Sequence, residues 1–279
     1  MHHLIVITGA SRGFGASLAS SYLTESGASA VSFVLVGRDR TRLETVLAGL
    51  ESVGPTLLKK VSVRGITVDS VDLSNMDELD KNIERIVDAI KQLRNKAAQE
   101  NQPITKSILV NNAGSLGDLT KTAKEFSWQD ARKYLDFNVV SMIGLSSTAF
   151  VKDTLAAHPK SSGEHETVVV SISSLLAVQA FAYWGLYATG KAARDMFLGV
   201  MGLEEADSNV KTLNYAPGPL DNEMQADVRA TLGDKVQLEI YSNMHKEGRL
   251  VPMADSSKKL VNTLRVNDFK SGTHIDFYD

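Results

Sequence analysis

Three glycines crowd into eight residues at Thr8-Gly9-Ala10-Ser11-Arg12-Gly13-Phe14-Gly15, between two segments of opposite periodicity. Ahead of them, Leu4-Ile5-Val6-Ile7 is a continuous apolar run of strand length. Behind them, Ala16 to Leu23 has the spacing of a helix. A strand, a glycine turn and a helix in immediate succession commit the chain to a βα opening, whose next strand must run parallel to the first.

The alternation continues along the chain. Strands are expected at Val31 to Val36, Lys60 to Val68, Ser107 to Val110, Thr167 to Ile172 and Val210 to Asn214. Helices are expected at Thr41 to Leu50, Met76 to Gln99, Trp128 to Ala156 and Ala188 to Glu205. The pattern predicts an α/β fold: a doubly wound parallel sheet with helices on both faces, in a single domain over 1–279. Ala97 to Lys106, with Pro103, and His158 to Glu166 read as surface loops, and 219–254 as a helical segment over the substrate.

The net charge of −3 gives no global attraction to nucleic acid or an anionic membrane. There is no cysteine, which removes disulfides and thiolate chemistry. The N-terminus lacks a signal-peptide pattern, and the apolar runs are broken by Gly, Ser or charge before reaching the ~20 residues of a membrane span. A cytoplasmic protein is expected. His2 and His3 lie near the terminus, and His158, His165, His245 and His274 form no close-spaced ligand pattern, so all six are read as scattered surface residues and no metal is expected.

The glycine loop lets phosphate oxygens approach the backbone, and the following helix offers its free N–H groups to a pyrophosphate. Gly9, Ser11, Arg12, Gly13, Phe14 and Gly15 are therefore candidate dinucleotide contacts. The second strand ends at Val36-Gly37-Arg38, where an NAD site commonly carries a ribose-binding acid. Gly37 supplies none; Arg38 and Arg12 can grip a 2′-phosphate, which favours NADPH/NADP+. The alternative makes Asp39 the ribose acid and NADH the cofactor. Asp72 and Leu73, after the third strand, are placed beside adenine. Asn112, Ala113 and Gly114, after the fourth, border the cofactor, while Met142 is assigned to helix packing.

Tyr187 and Lys191 stand four residues apart, on one helix face. A phenol ordinarily loses its proton near pH 10, and a neighbouring ammonium is expected to lower that value, making Tyr187 a usable proton donor to a carbonyl. Ser174 follows a strand, and its hydroxyl can bond the carbonyl oxygen. Asn138, read as beginning an apolar helix, can hold a water beside Lys191.

In its order of motifs the chain resembles the short-chain dehydrogenase/reductase family: TGASRGFG at 8–15, NNAG at 111–114, Asn138, Ser174, YATGK at 187–191 and Pro217-Gly218. The resemblance implies a Rossmann-like domain and a nicotinamide cofactor that Tyr187, Lys191, Pro217, Gly218 and Leu220 also touch. It implies that Ser174 orients the substrate, that Tyr187 is the acid/base and that Lys191 binds ribose. Asn138 matches the family's water-relay position.

Four segments, NNAGSLGD, YATGKAARDM, LNYAPGPLD and FKSGTHIDFYD, resemble the pterin-reducing members of that family, although Asn222 stands where a Thr is expected. That implies a cytoplasmic homodimer reducing a pterin side-chain ketone, or another dicarbonyl. Asp276 would anchor the ring, and Phe181, Trp184 and Met224 would wall it. A carbonyl reductase for non-pterin ketones and a noncatalytic NADP-binding sensor are the competing readings.

Overall fold

The computed structural model describes residues 1–158 and 165–279. Seven strands form one sheet: β1 (His2–Thr8), β2 (Ala30–Val36), β3 (Ser62–Val68), β4 (Ile104–Asn111), β5 (Glu166–Ile172), β6 (Val210–Ala216) and β7 (Thr273–Asp276). Their order is β3-β2-β1-β4-β5-β6-β7, and every neighbouring pair is parallel. The strand order reverses between β1 and β4, which opens a crevice at the carboxyl ends of the strands. β7 is an additional strand that the sequence pattern did not reveal.

The connecting helices are α1 (Gly13–Glu25), α2 (Arg40–Val53), α3 (Leu79–Gln99), α4 (Trp128–Ala157), α5 (Gly185–Glu204), α6 (Glu223–Thr231), α7 (Lys235–Lys246) and α8 (Met253–Val266). β1 shows why the sheet is buried on both sides. Ile5 and Ile7 join a core with Leu18 and Tyr22 of α1 and Leu260 of α8, whereas Leu4 and Val6 join one with Ile86 of α3, Phe150 of α4 and Leu198 of α5. Each such side chain contributes about 1.5–3 kcal/mol by leaving water. Met142 is buried within α4, as expected.

Two expectations are corrected, and a third lies partly outside the described residues. Residues 97–106 are not one surface loop: α3 continues to Gln99 and β4 begins at Ile104, because Ala97, Ile104 and Lys106 are all buried. The reading of 158–166 as a loop falls at 159–164 outside the described residues. Nor do all six histidines lie on the surface, although His245 does. His2 and His3 belong to β1, with His2 bonded to Ser32 Oγ and His3 to the Tyr22 hydroxyl, and His165 is also buried.

α4 also bears on the membrane argument. It contains an 18-residue window with mean hydropathy 1.2, long and apolar enough to cross a bilayer. More than half of that window is buried, however, with Leu145 and Phe150 packed on the sheet, so its hydrophobicity is that of a core helix.

His274 of β7 sets its Nδ1 2.6 Å from Asp195 Oδ2 on α5, and this contact raises the histidine pKa above its ordinary value. Because the folded-state pKa is the higher, the pair's stabilisation is complete below roughly pH 6.5 and is lost as pH climbs through the raised value. Between roughly pH 6 and pH 9 the melting temperature should therefore fall further in the parent than in Asp195→Asn. Buried His2 and His3 pull stability the opposite way, but they are common to both proteins. Parallel curves would show that the contact carries no linkage.

Candidate active site

A cleft of about 1910 Å³ runs across the carboxyl ends of the strands. With two exceptions, Gly15 and Asn138, every residue singled out as cofactor, substrate or catalytic contact lines it: the loop after β1, Arg38, Asp72 and Leu73, Asn112 to Gly114, Ser174, Phe181 and Trp184, Tyr187 and Lys191, Pro217, Gly218 and Leu220, Met224, and Asp276.

The cofactor half fits a dinucleotide on several counts. α1 has neither a side-chain cap nor an acid in its first turn, so its leading N–H groups remain available to an anion. At Gly13, φ is +58° and an added Cβ would meet nothing within 4 Å, which keeps that face of the loop open. Gly15 lies beneath the loop, where a Cβ would stand 2.4 Å from the Gly9 carbonyl oxygen; it allows close packing rather than ligand contact. Asn112 Nδ2 donates to the carbonyls of Thr8 and Gly9, tying the β4 loop to the glycine loop.

The acids are differently employed. Asp39 caps α2, accepting from Arg42 N at 3.0 Å, with Arg42 Nε 3.3 Å from its other oxygen. Its carboxylate is therefore occupied locally, whereas Arg38 is exposed on the cleft. Asp72 Oδ1 accepts from Ser74 N and Ser74 Oγ and shapes the turn after β3. Arg12 forms an ion pair with Glu223 at the start of α6, a partner invisible in the sequence.

α5 projects Tyr187 and Lys191 from one face into the floor of the cleft. Lys191 Nζ donates to the Ile172 carbonyl at 2.6 Å and lies 5.4 Å from the centre of the Tyr187 ring. The expected lowering of the phenol pKa is not what this geometry gives. Burial pushes Tyr187 up to about 12, with Ser174 and Arg194 drawing it only partly back. Burial also drives Lys191 well below the ordinary lysine value, because its ammonium has been taken from water and turned toward a neutral carbonyl.

Asn138 does not begin a helix. It lies inside α4, in a stretch of π-helical turn, and is buried. Its Oδ1 accepts from Ser115 N at 2.8 Å, and its Nδ2 donates to the Tyr134 carbonyl at 2.9 Å. Ser174 starts a short 3₁₀ turn, accepting from Leu176 N.

On the substrate side, Trp184 is buried and Met224 exposed, with Phe181 between these extremes. Trp184 Nε1 donates to Gln237 of α7 at 3.2 Å. The 219–254 stretch is helical as expected, and its ends are joined where Asp221 N donates to the Val251 carbonyl and Val251 N to the Pro219 carbonyl. Asn222 caps α6 by accepting from Gln225 N at 2.9 Å. At the end of β7, Asp276 Oδ1 accepts from Tyr278 N at 3.0 Å. Two contributors escaped the sequence reading: Tyr241, which lines the cleft from α7, and Arg194, buried behind it. Arg194 was detectable, since it falls seven residues after Tyr187 on the same helical stripe.

Comparison with known proteins agrees with this architecture. The short chain dehydrogenase family model matches residues 3–233. Sepiapterin reductase of Xenopus tropicalis is 37% identical over 277 residues, covering 99% of this chain and 96% of its own. The enzyme of that name from Meriones unguiculatus is 36% identical, covering 98% and 95%. Among solved structures, a putative NAD(P) dependent gluconate 5-dehydrogenase from Beutenbergia cavernae with bound NADP is similar with a TM-score of 0.73 at 21% identity, covering 98% of this chain and 94% of its own.

Proposed function

The chain belongs to the short chain dehydrogenase family, and from that membership we propose that it is an NADPH-dependent reductase of a pterin side-chain ketone in tetrahydrobiopterin synthesis. The observation that carries the reading is that Ser174, Tyr187, Lys191 and Asp276 line one cleft together with the glycine loop and Arg38. Names of relatives alike over nearly the whole chain supply the pterin.

NADPH, when bound, supplies the hydride. Its pyrophosphate fits the uncapped start of α1, its 2′-phosphate Arg38 and Arg12, its ribose Lys191, and its remaining length the Asn112 to Gly114 loop and Pro217, Gly218 and Leu220. Glu223 is the group that the 2′-phosphate would displace from Arg12.

Ser174 donates a hydrogen bond to the substrate carbonyl oxygen and is worth most as negative charge develops there. Tyr187 then gives its proton to that oxygen; the phenol is protonated at neutral pH, and because burial lifts it to about 12 it yields the proton only as negative charge develops on the oxygen it faces. Asn138, its amide fixed by Ser115 and Tyr134, holds the water that returns a proton by way of Lys191. Asp276 accepts from the amino group and ring N–H of the pterin edge, while Phe181, Trp184 and Met224 pack its faces. The same reading includes a homodimer. Val140 on α4 and Met196, Val200 and Leu203 on α5 are 43–71% exposed, an apolar surface suited to a second copy.

NADPH oxidation with sepiapterin tests the function. Turnover with sepiapterin above that with small diketones is expected; turnover with diketones alone would favour the general carbonyl reductase, and none with either a binding protein. Arg38→Ala should weaken NADPH by about 10–100-fold, as expected for one charge-assisted bond, while barely changing NADH. Equal losses for the two cofactors, by titration, would remove Arg38 from the phosphate site.

A further inference from the structure

α5 carries a third ionisable group on the stripe of Tyr187 and Lys191. Arg194, seven residues beyond Tyr187, is only 1% exposed, the largest fully buried side chain among the described residues. Its guanidinium reaches out of the helix, beneath the cleft, to β5 and to the end of the adjacent strand β4 with its loop. Nε donates to Ser171 Oγ on β5 at 3.0 Å, Nη1 to the Ala113 carbonyl at 3.2 Å, and Nη2 to the Asn111 carbonyl. Asn111 and Ala113 flank Asn112, which braces the glycine loop, and Ser171 is on the strand that leads to Ser174.

All three acceptors are neutral. Burying a guanidinium against neutral groups carries a desolvation penalty that a neutral donor such as Gln would avoid, and local costs of this kind persist in proteins mainly where function requires them. We propose that Arg194 is a positioning residue of the reaction centre: it fastens the catalytic helix to the β4 loop and β5, and it keeps a fixed positive charge behind the Tyr187–Lys191 pair.

The electrostatics agree. Burial lowers Arg194 to about 10, so it stays charged at neutral pH. It draws Tyr187 down against the effect of burial and pushes Lys191 down further. The other groups facing the pair or Arg194 are Tyr134 from α4, Tyr241 from α7 and Asp195 on α5 itself, the last held by His274 of β7. Removing one cation from this set favours proton binding at both Tyr187 and Lys191. Both apparent pKa values of the coupled pair must then rise, whichever residue titrates first.

The inference rests on Tyr187 being the proton donor. Its test is the pH dependence of NADPH-driven diketone reduction in the full chain. Arg194→Gln keeps donors and loses the charge; Arg194→Lys keeps the charge and loses donors. The limb assigned to the pair should move to higher pH by roughly half a unit or more in Arg194→Gln and stay near its parental position in Arg194→Lys. A glutamine variant with lower turnover or melting temperature but an unmoved limb would overturn the charge role. If that variant does not fold, a folded Arg194→Lys retaining most of the turnover supports the proposal, and one as inactive as Tyr187→Phe overturns it. Near-parental turnover in Tyr187→Phe would instead overturn the functional reading beneath it, so the two failures are distinguishable.

Discussion

Tyr187→Phe should lower turnover by about 10²–10⁴-fold, the range for removing a positioned general acid and equivalent to about 3–5 kcal/mol of barrier. The substitution deletes one hydroxyl and keeps the ring, so the edge-on contact with Trp184, 5.4 Å between centroids, survives and the fold should too. Affinity for NADPH should change little. Steady-state turnover with a saturating ketone, together with a cofactor titration, separates these outcomes. Turnover within a few fold of the parent would mean that another group delivers the proton.

Asp276→Ala should reduce kcat/KM for a pterin ketone by about 10–100-fold, the consequence of losing charge-assisted bonds worth about 1.5–3 kcal/mol. The Oδ1 contact with Tyr278 N orients the carboxylate and uses one of its several acceptor sites, leaving capacity for a two-donor ligand edge. A small diketone has no such edge, so its reduction and the affinity for NADPH should be spared. Equal losses for both substrates would assign Asp276 to holding the turn at the end of β7.

The fold was readable because its signals are local. β1, β2 and β5 carry short apolar runs, and the helices between the strands have their own period, so β1 through β6 could be placed within a few residues. β7 was not readable: Thr273–Asp276 is four residues long, mixes polar with apolar, and becomes a strand only by pairing with β6. Tyr187, Lys191 and Ser174 were legible through spacing. The state of the phenol was not, since it depends on burial and on Arg194, whose acceptors lie 23 to 83 residues away in the chain. Asn138 was misplaced for a related reason: a polar residue ahead of apolar ones resembles a helix start, and only the contacts with Ser115 and Tyr134 explain an amide inside α4.

The reversal of strand order that opens the cleft also governs how the chain reaches its native state. β1 lies between β2 and β4, but while His2 pairs with Ala30 on one side it pairs with Ile104 on the other. Closing the second of these loops brings together segments about a hundred residues apart, and each doubling of loop length adds only ~0.6 kcal/mol of closure entropy. The equilibrium penalty is therefore small, whereas the kinetic one is larger, because long-range parallel pairing slows the search. Until β4 docks, the apolar edge of β1 is exposed in a partly folded chain, and it is in that interval that aggregation competes with folding.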